Sequence, residues 1–391
     1  MKATSTGLKS LRSIKFKQVN KNIALYSLQT FGSTGGIQKM TRTLAHSLNT
    51  IAQKNQWSFQ FWSAYDSEKE LMTKYVALEN FYGFGRRRLK FTFEAILNAK
   101  KQDIIILTHV NLAIIGLLAK VVNPNCEVWL IAHGIEIWRP LPLLKKMFLK
   151  RCDKVICVSN FTKHVMITRH KLKPESCVVI NNAVDPFMKL PETFIKPAYL
   201  VEKYGLSANT PIIFTLTRLS SWELYKGHDR VISIISKLKE HYPAIKYVLA
   251  GKSDLSEQTR IEQLIADYGV SDQIVLTGFI DEEELVDHFL LADLFILPSK
   301  KEGFGIVFIE ALACGVPVIC GNADGSVDAI CNGELGTSIN PDDLDELEQA
   351  ATRMLSKHPT ADQRKYLQQK CLEYFGEDAY IKKLEALINE A

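Results

Sequence analysis

Apolar residues follow two rhythms along this chain of 391 residues. Strand-like, mostly apolar runs, of the kind that fill strands buried on both faces, occupy residues 22–28, 58–62, 103–108, 127–132, 154–158 and 178–181. Between them apolar positions recur three and four apart, so the first half reads as strands alternating with helices. A second series of runs, at 211–217, 245–250, 273–276, 294–297 and 316–320, repeats the arrangement. Such alternation builds a parallel sheet covered by helices, and two series build two sheets. The expected fold class is α/β, with two doubly wound, Rossmann-like domains. Pro186, Pro191 and Pro197 break the periodicity from Asp185 to Gly205, which marks the connection. The tail is helical in pattern, so the expected units are residues 1–190, 191–375 and a final helix at 376–391.

Ligands of open parallel sheets bind beyond the carboxyl ends of the strands, and two such sheets face each other across a cleft. The candidate chemistry falls just after predicted strands. Glu302-Gly303-Phe304-Gly305 follows the run 294–297, and Glu310 lies inside an apolar helix expected over Phe304 to Ala313. Eight helical positions span up to about 12 Å, so one small group cannot touch both acids. The amides after Gly303 and Gly305 are unpaired donors at a positive helix end, where a phosphate fits. Alone, Glu302 also fits a solvated loop acid. Glu310 is the stronger marker, because an ionised carboxylate is rarely buried without partners.

Arg218 directly follows the run 211–217, and Lys226-Gly227-His228-Asp229 opens the next helix. At about 4 Å and an effective dielectric of about 20, each cation attracts a phosphate charge by roughly 4 kcal/mol before desolvation. A helix end adds about 0.3–2 kcal/mol, so the cations dominate. Acids held against phosphates would repel them, which assigns Glu302 and Glu310 to hydroxyls elsewhere on the ligand. On the other wall, Gly32-Ser33-Thr34-Gly35-Gly36-Ile37-Gln38 leads from a strand into a helix, with glycines that permit close backbone approach. His133 and His109 each follow a strand and point toward the same cleft; a structural role is open for both.

Composition is globular, at 47% hydrophobic and 23% charged. The eight cysteines form no Cys-x-x-Cys pair and read as small buried hydrophobes in a reducing cytosol. No His, Cys or carboxylate cluster has metal-site spacing. The longest charge-free apolar stretch, Val110 to Ala119, is too short to span a bilayer, so a cytoplasmic protein is expected. Net charge is +5, but residues 1–190 hold 29 Lys/Arg against 11 Asp/Glu, and residues 191–391 hold 19 against 32. No acid precedes Asp66, and basic groups cluster again at Arg86-Arg87-Arg88-Leu89-Lys90 and from Arg139 to Arg151. The last run interleaves apolar and basic residues as an interfacial helix on anionic lipid would, and as a core-facing helix with a solvated basic face would. No nucleic-acid-binding motif accompanies the charge, so no nucleic-acid partner is expected.

The pattern Ser299-x-x-Glu302-Gly303-Phe304-Gly305, followed by Glu310-Ala311-x-Ala313-Cys314-Gly315-x-Pro317-Val318, resembles the signature of the retaining family 4 glycosyltransferases, which have the GT-B fold. That resemblance implies that Arg218 and Lys226 bind the diphosphate of a nucleotide-sugar donor, Glu310 its ribose hydroxyls, and Glu302 the transferred sugar near its reacting carbon. It implies a base pocket from Gly251, Phe279 and Ile280, a sugar contact from His133, a donor contact from Gly35 and Gly36, and a final helix crossing back onto the first domain. Catalysis would fall to Glu302, His133, Arg218 and Lys226, with retention of configuration and no metal or other cofactor. Gln38 departs from the family's usual Glu, and Asn181 and Ala183 replace Pro and Gly in a Pro-Asn-Gly-Val-Asp motif. The expectation is a cytoplasmic, membrane-associated enzyme moving a hexose from a UDP- or GDP-sugar to a glycan or lipid-linked saccharide. A sugar-nucleotide epimerase or sugar-phosphate synthase of the same fold, and an inactive sugar-nucleotide- or lipid-binding module, are the alternatives.

Overall fold

A computed structural model describes residues 20–357 and 359–391; the basic residues ahead of Lys21 lie outside the described part. The first sheet is built from β1 (Asn22–Ser27), β2 (Ser58–Ser63), β3 (Phe81–Gly83), β4 (Ile104–Leu107), β5 (Glu127–Ala132), β6 (Lys154–Cys157) and β7 (Cys177–Val179). Its strands are parallel, in the order β3-β2-β1-β4-β5-β6-β7. The second holds β8 (Ile212–Leu216), β9 (Lys246–Ala250), β10 (Ile274–Gly278), β11 (Leu294–Leu297), β12 (Val318–Gly321) and β13 (Thr337–Ile339), parallel in the order β10-β9-β8-β11-β12-β13. Two doubly wound sheets are therefore present. The sequence reading missed the three-residue edge strands β3 and β13; the equally short β7 showed because Val178-Val179-Ile180 make an apolar run, which Phe81-Tyr82-Gly83 and Thr337-Ser338-Ile339 do not.

Strand order explains where chemistry can sit. In the first sheet β1 lies between β2 and β4, and the order reverses there; in the second the reversal falls between β8 and β11. Each reversal opens a crevice at the carboxyl ends of its strands. The loop to Gly36 leaves β1, Arg218 follows β8, and Glu302 follows β11. His133 follows β5, beside β4.

The chain crosses between the sheets twice. The first crossing is the proline-rich segment after β7, which carries a short helix, Ala198–Lys203, and docks on the second domain through Lys196 to Asp293 at 2.6 Å. The second follows the helix Ala361–Phe375, whose start is closed by a capping box of Thr360 and Gln363. The helix Glu377–Asn389 then lies along the helix Gly36–Asn55, where Lys54 and Asn55 both donate to Glu385 at 2.8 Å. The two crossings touch: the Val184 amide donates to the Phe375 carbonyl at 2.8 Å. One apolar cluster runs from Leu44 and Leu48 through Leu384 and Phe375 to Phe304 and Phe308, joining the domains.

At the cleft the domains meet backbone to backbone. A Cβ on Gly303 would lie 1.7 Å from the His133 carbonyl oxygen, and one on Gly134 would lie 2.7 Å from Gly303 Cα. Behind it, in the same domain, Gly325 packs as closely, since its Cβ would fall 2.1 Å from the Gly303 carbonyl oxygen. Neither neighbour is a flexible side chain, so a methyl group can fit only if the domains part. Gly303→Ala should lower stability by about 1–3 kcal/mol and widen the molecule in small-angle scattering. An unchanged scattering profile and melting temperature would show that the contact tolerates a methyl.

Candidate active site

The helix after β11 is Ile306–Ala313, shorter than the expected Phe304 to Ala313. Gly305 stands before it with φ 84°, a conformation that glycine adopts without strain, so Glu302, Gly303 and Phe304 all belong to the preceding loop. The Phe304 ring is buried against Phe375 with centroids 5.5 Å apart, which leaves only its backbone for a ligand. The loop is held from behind: the buried Asp324 accepts from the Glu302 amide at 2.6 Å and the Ser326 amide at 2.9 Å. Burial, against those hydrogen bonds and with the charge of Glu302 adding to it, pushes the Asp324 carboxyl up to about 7.

Glu302 pairs with Lys226 at 2.5 Å. The acid assigned to hydroxyls and the cation assigned to phosphate thus share a hydrogen bond. An ammonium has three donors, so Lys226 can hold Glu302 and still face an anion. Arg218 forms a fork with Glu223, Nε donating at 3.0 Å and Nη2 to the other oxygen. Its side chain remains 72% exposed at the mouth of the cleft. Glu223 sits in the long loop between Arg218 and Lys226 and was missed by the sequence reading; an acid three positions before a cation is a weak signal in a loop.

The facing wall comes from the helix Gly36–Asn55. A Cβ on Gly36 would lie 3.6 Å from the Ile306 side chain, so the starts of the two helices, with their free amides, converge across the cleft. Gln38 folds back over Gly35. One residue on, Lys39 pairs with Glu310, which is only 3% exposed at its side chain. Burial alone would pull the Lys39 ammonium down, yet Glu310 outweighs it and holds it above its ordinary value. A turn later, the buried Arg42 pairs with Glu282 of the second domain at 2.7 Å. Both cations escaped the sequence reading, although they interrupt the apolar face of this helix, where a charge needs a partner.

Above that wall the His133 side chain is half-buried, and its Nε2, itself buried, has no hydrogen-bond partner among the described residues. Burial and the nearby His109 pull it down to about 3, so it is neutral at pH 7 and keeps one ring nitrogen without a partner. Glu136 accepts from the His133 amide at 2.7 Å and braces the turn. His109 has a local job: its Nδ1 accepts from the Asn111 amide at 3.0 Å. Asn181 serves the domain contact, donating to the Val158 carbonyl at 3.1 Å and to Asp328 at 3.3 Å. Gly251 closes onto β8, where a Cβ would lie 1.7 Å from the Thr217 carbonyl oxygen. It lines a cavity of about 190 Å³ with Leu219, Ser253, Gln258 and Gly278. The Phe279 ring is exposed at 56%, whereas Ile280 is buried in the core. A larger cavity, about 620 Å³, lies between the connection and Arg364 and contains none of these residues.

Two outcomes follow from the buried charges. Removing one partner of Lys39–Glu310 strands the other, so Lys39→Met or Glu310→Gln should each cost about 3 kcal/mol, at the low end for a buried pair because Lys39 keeps some solvent; the double variant should recover most of it. Additive losses in denaturant unfolding would show no coupling. The folded protein holds the Asp324 proton up to about pH 7, while the unfolded chain releases it near 3.8. Stability should therefore fall as pH rises from about 4 to 7 and level off above, and Asp324→Asn should flatten that slope. A wild-type slope that survives the substitution would assign it to another group.

Comparison with known proteins places each half of the chain in a family. Residues 34–186 match the family described as Glycosyltransferase Family 4, and residues 200–370 match Glycosyl transferases group 1. The GDP-mannose-dependent alpha-(1-6)-phosphatidylinositol monomannoside mannosyltransferase of Mycolicibacterium smegmatis is 29% identical over 63% of this chain and 65% of its own length. Mannosylfructose-phosphate synthase of Agrobacterium fabrum is 28% identical over 51% of this chain and 44% of its own. The chain thus spans less than two thirds of the length of the curated relatives it matches. The crystal structure of Anabaena HepE in complex with UDP superposes with a TM-score of 0.72 at 17% identity, covering 95% of this chain and 100% of that one. With both halves matched and both sheets in the same architecture, the chain belongs to the group 1, family 4 glycosyltransferases of the GT-B fold.

Proposed function

We propose that the chain transfers a hexose from a UDP- or GDP-linked sugar to a glycan or lipid-linked saccharide, with retention of configuration and without a metal ion. The observation that carries this reading is the convergence on one cleft of Arg218, Lys226, Glu302 and the unpartnered His133 Nε2. In it the donor diphosphate takes over the guanidinium that Glu223 now holds and meets the free protons of Lys226. These cations stabilise the leaving nucleoside diphosphate where its charge develops. Glu310, with Lys39 beside it, receives the ribose hydroxyls; Glu302 and His133 orient the transferred sugar from opposite walls. The base lies toward Gly251 and the exposed ring of Phe279. Donor chemistry of this kind is named for relatives: GDP-mannose for the mycobacterial enzyme and UDP for HepE. A sugar-phosphate acceptor is the second reading, favoured by the likeness to mannosylfructose-phosphate synthase.

A thermal-shift panel of UDP-, GDP-, ADP- and CMP-sugars should identify the donor, because a ligand at 100 times its dissociation constant stabilises by about 2.7 kcal/mol. With that donor, Arg218→Ala and Glu302→Ala should each lower kcat/KM by about 10²- to 10³-fold while the fold persists. Wild-type turnover in either variant, or no response to any nucleotide sugar, would refute the assignment. The anomeric signal of the product reports on retention, and activity after chelation reports on the metal.

A further inference from the structure

Three helices, Arg88–Asn98, Ala113–Val122 and Leu143–Arg151, pack side by side over one face of the first sheet. Their inner residues, Phe91, Ile115 and Phe148 among them, share one core cluster, so their opposite sides face solvent together. The first helix presents Leu89, Phe93 and Leu97 at intervals of four, which puts them in one stripe. Leu89 is 89% exposed and Phe93 65%. The third helix repeats the device with Leu143, 74% exposed, and Met147, and Val121 stands exposed on the helix between. Single exposed apolar side chains are ordinary, but a contiguous set rimmed by polar groups marks an interaction surface.

The rim decides the partner. Arg86, Arg87, Arg88 and Lys90 surround the start of the first helix, and Lys146, Lys150 and Arg151 lie along the third. Glu94 is the sole acid in the three helices, and it stands 3.6 Å from Lys90. A second copy of the same layer would meet like charge. An anionic bilayer offers both what the stripe needs and what the cations need: an acyl boundary for the apolar side chains and headgroup charge for the Lys and Arg.

We propose that this three-helix layer docks the protein on the surface of an anionic lipid bilayer. The helix Leu143–Arg151 follows His133 through the short helix Ile135–Trp138, so the docked layer borders the cleft. No helix among the described residues is long and apolar enough to cross a membrane, so docking is peripheral. The inference stands independently of the donor chemistry proposed above.

Flotation of the full chain with phosphatidylcholine vesicles, with and without phosphatidylglycerol, tests it. The protein should float with the anionic vesicles at low salt and stay behind with the neutral ones. Each cation removed in Lys146→Ser and Lys150→Ser should weaken binding about fivefold at low salt. Leu89→Ser with Phe93→Ser should weaken it at low and high salt alike. These side chains are exposed, so melting temperatures and any transfer to a soluble acceptor should not move. Equal flotation with both vesicle types, or no effect of either double variant, would overturn the proposal. So would a dimer, seen by sedimentation velocity and lost in the Leu89/Phe93 variant, in a protein that does not float.

Discussion

The cleft depends on one close passage of two peptide backbones, the His133 carbonyl over the α-carbon of Gly303. Each of these residues ends a rigid strand-to-loop turn in a different domain, so their contact sets how the imidazole stands to Glu302. The turns are braced from outside the contact by one carboxylate each, Glu136 holding the His133 amide and Asp324 holding the Glu302 amide. Fixed amides on short carboxylate bridges leave little slack, and sub-ångström placement is what a site assembled from two domains requires. Glycine at position 303 is therefore more than a flexible loop residue. It is the spacing between the domains.

The same view changes the meaning of the charge asymmetry. The basic first half and the acidic second half are each other's partner in part. Lys39 and Arg42, one turn apart on a single helix, reach Glu310 and Glu282, while Asp328 of the second domain accepts from the Asn160 amide at 2.6 Å, at the start of a helix in the first. Helix starts favour such an anion. Among the described residues, a large share of the remaining positive charge gathers on the three-helix layer, where apolar side chains accompany it.

The alternating pattern made the two parallel sheets legible, because strands buried on both faces write mostly apolar runs. Edge strands β3 and β13 were not legible, since each is three residues long and interrupted by glycine or by polar residues, whereas β7, equally short, runs on into Ile180. Candidate positions after strands were legible for a topological reason: the order reversals place Arg218, Glu302 and the Gly36 loop at the cleft whatever their neighbours are. Partnerships were not. Glu223 on Arg218, Lys39 on Glu310 and Asp324 behind Glu302 each join residues through turns or across domains, and no local pattern encodes which acid a cation meets. The role of Phe304 was hidden for a similar reason, because its partner, Phe375, lies on a separate helix far along the sequence.

The hydrogen bond between Val184 and Phe375 ties the outgoing crossing to the returning one. Two crossings fastened to each other act as a single joint, so sliding one domain along the other would have to break that bond or pull the helix Glu377–Asn389 from its seat on the helix Gly36–Asn55.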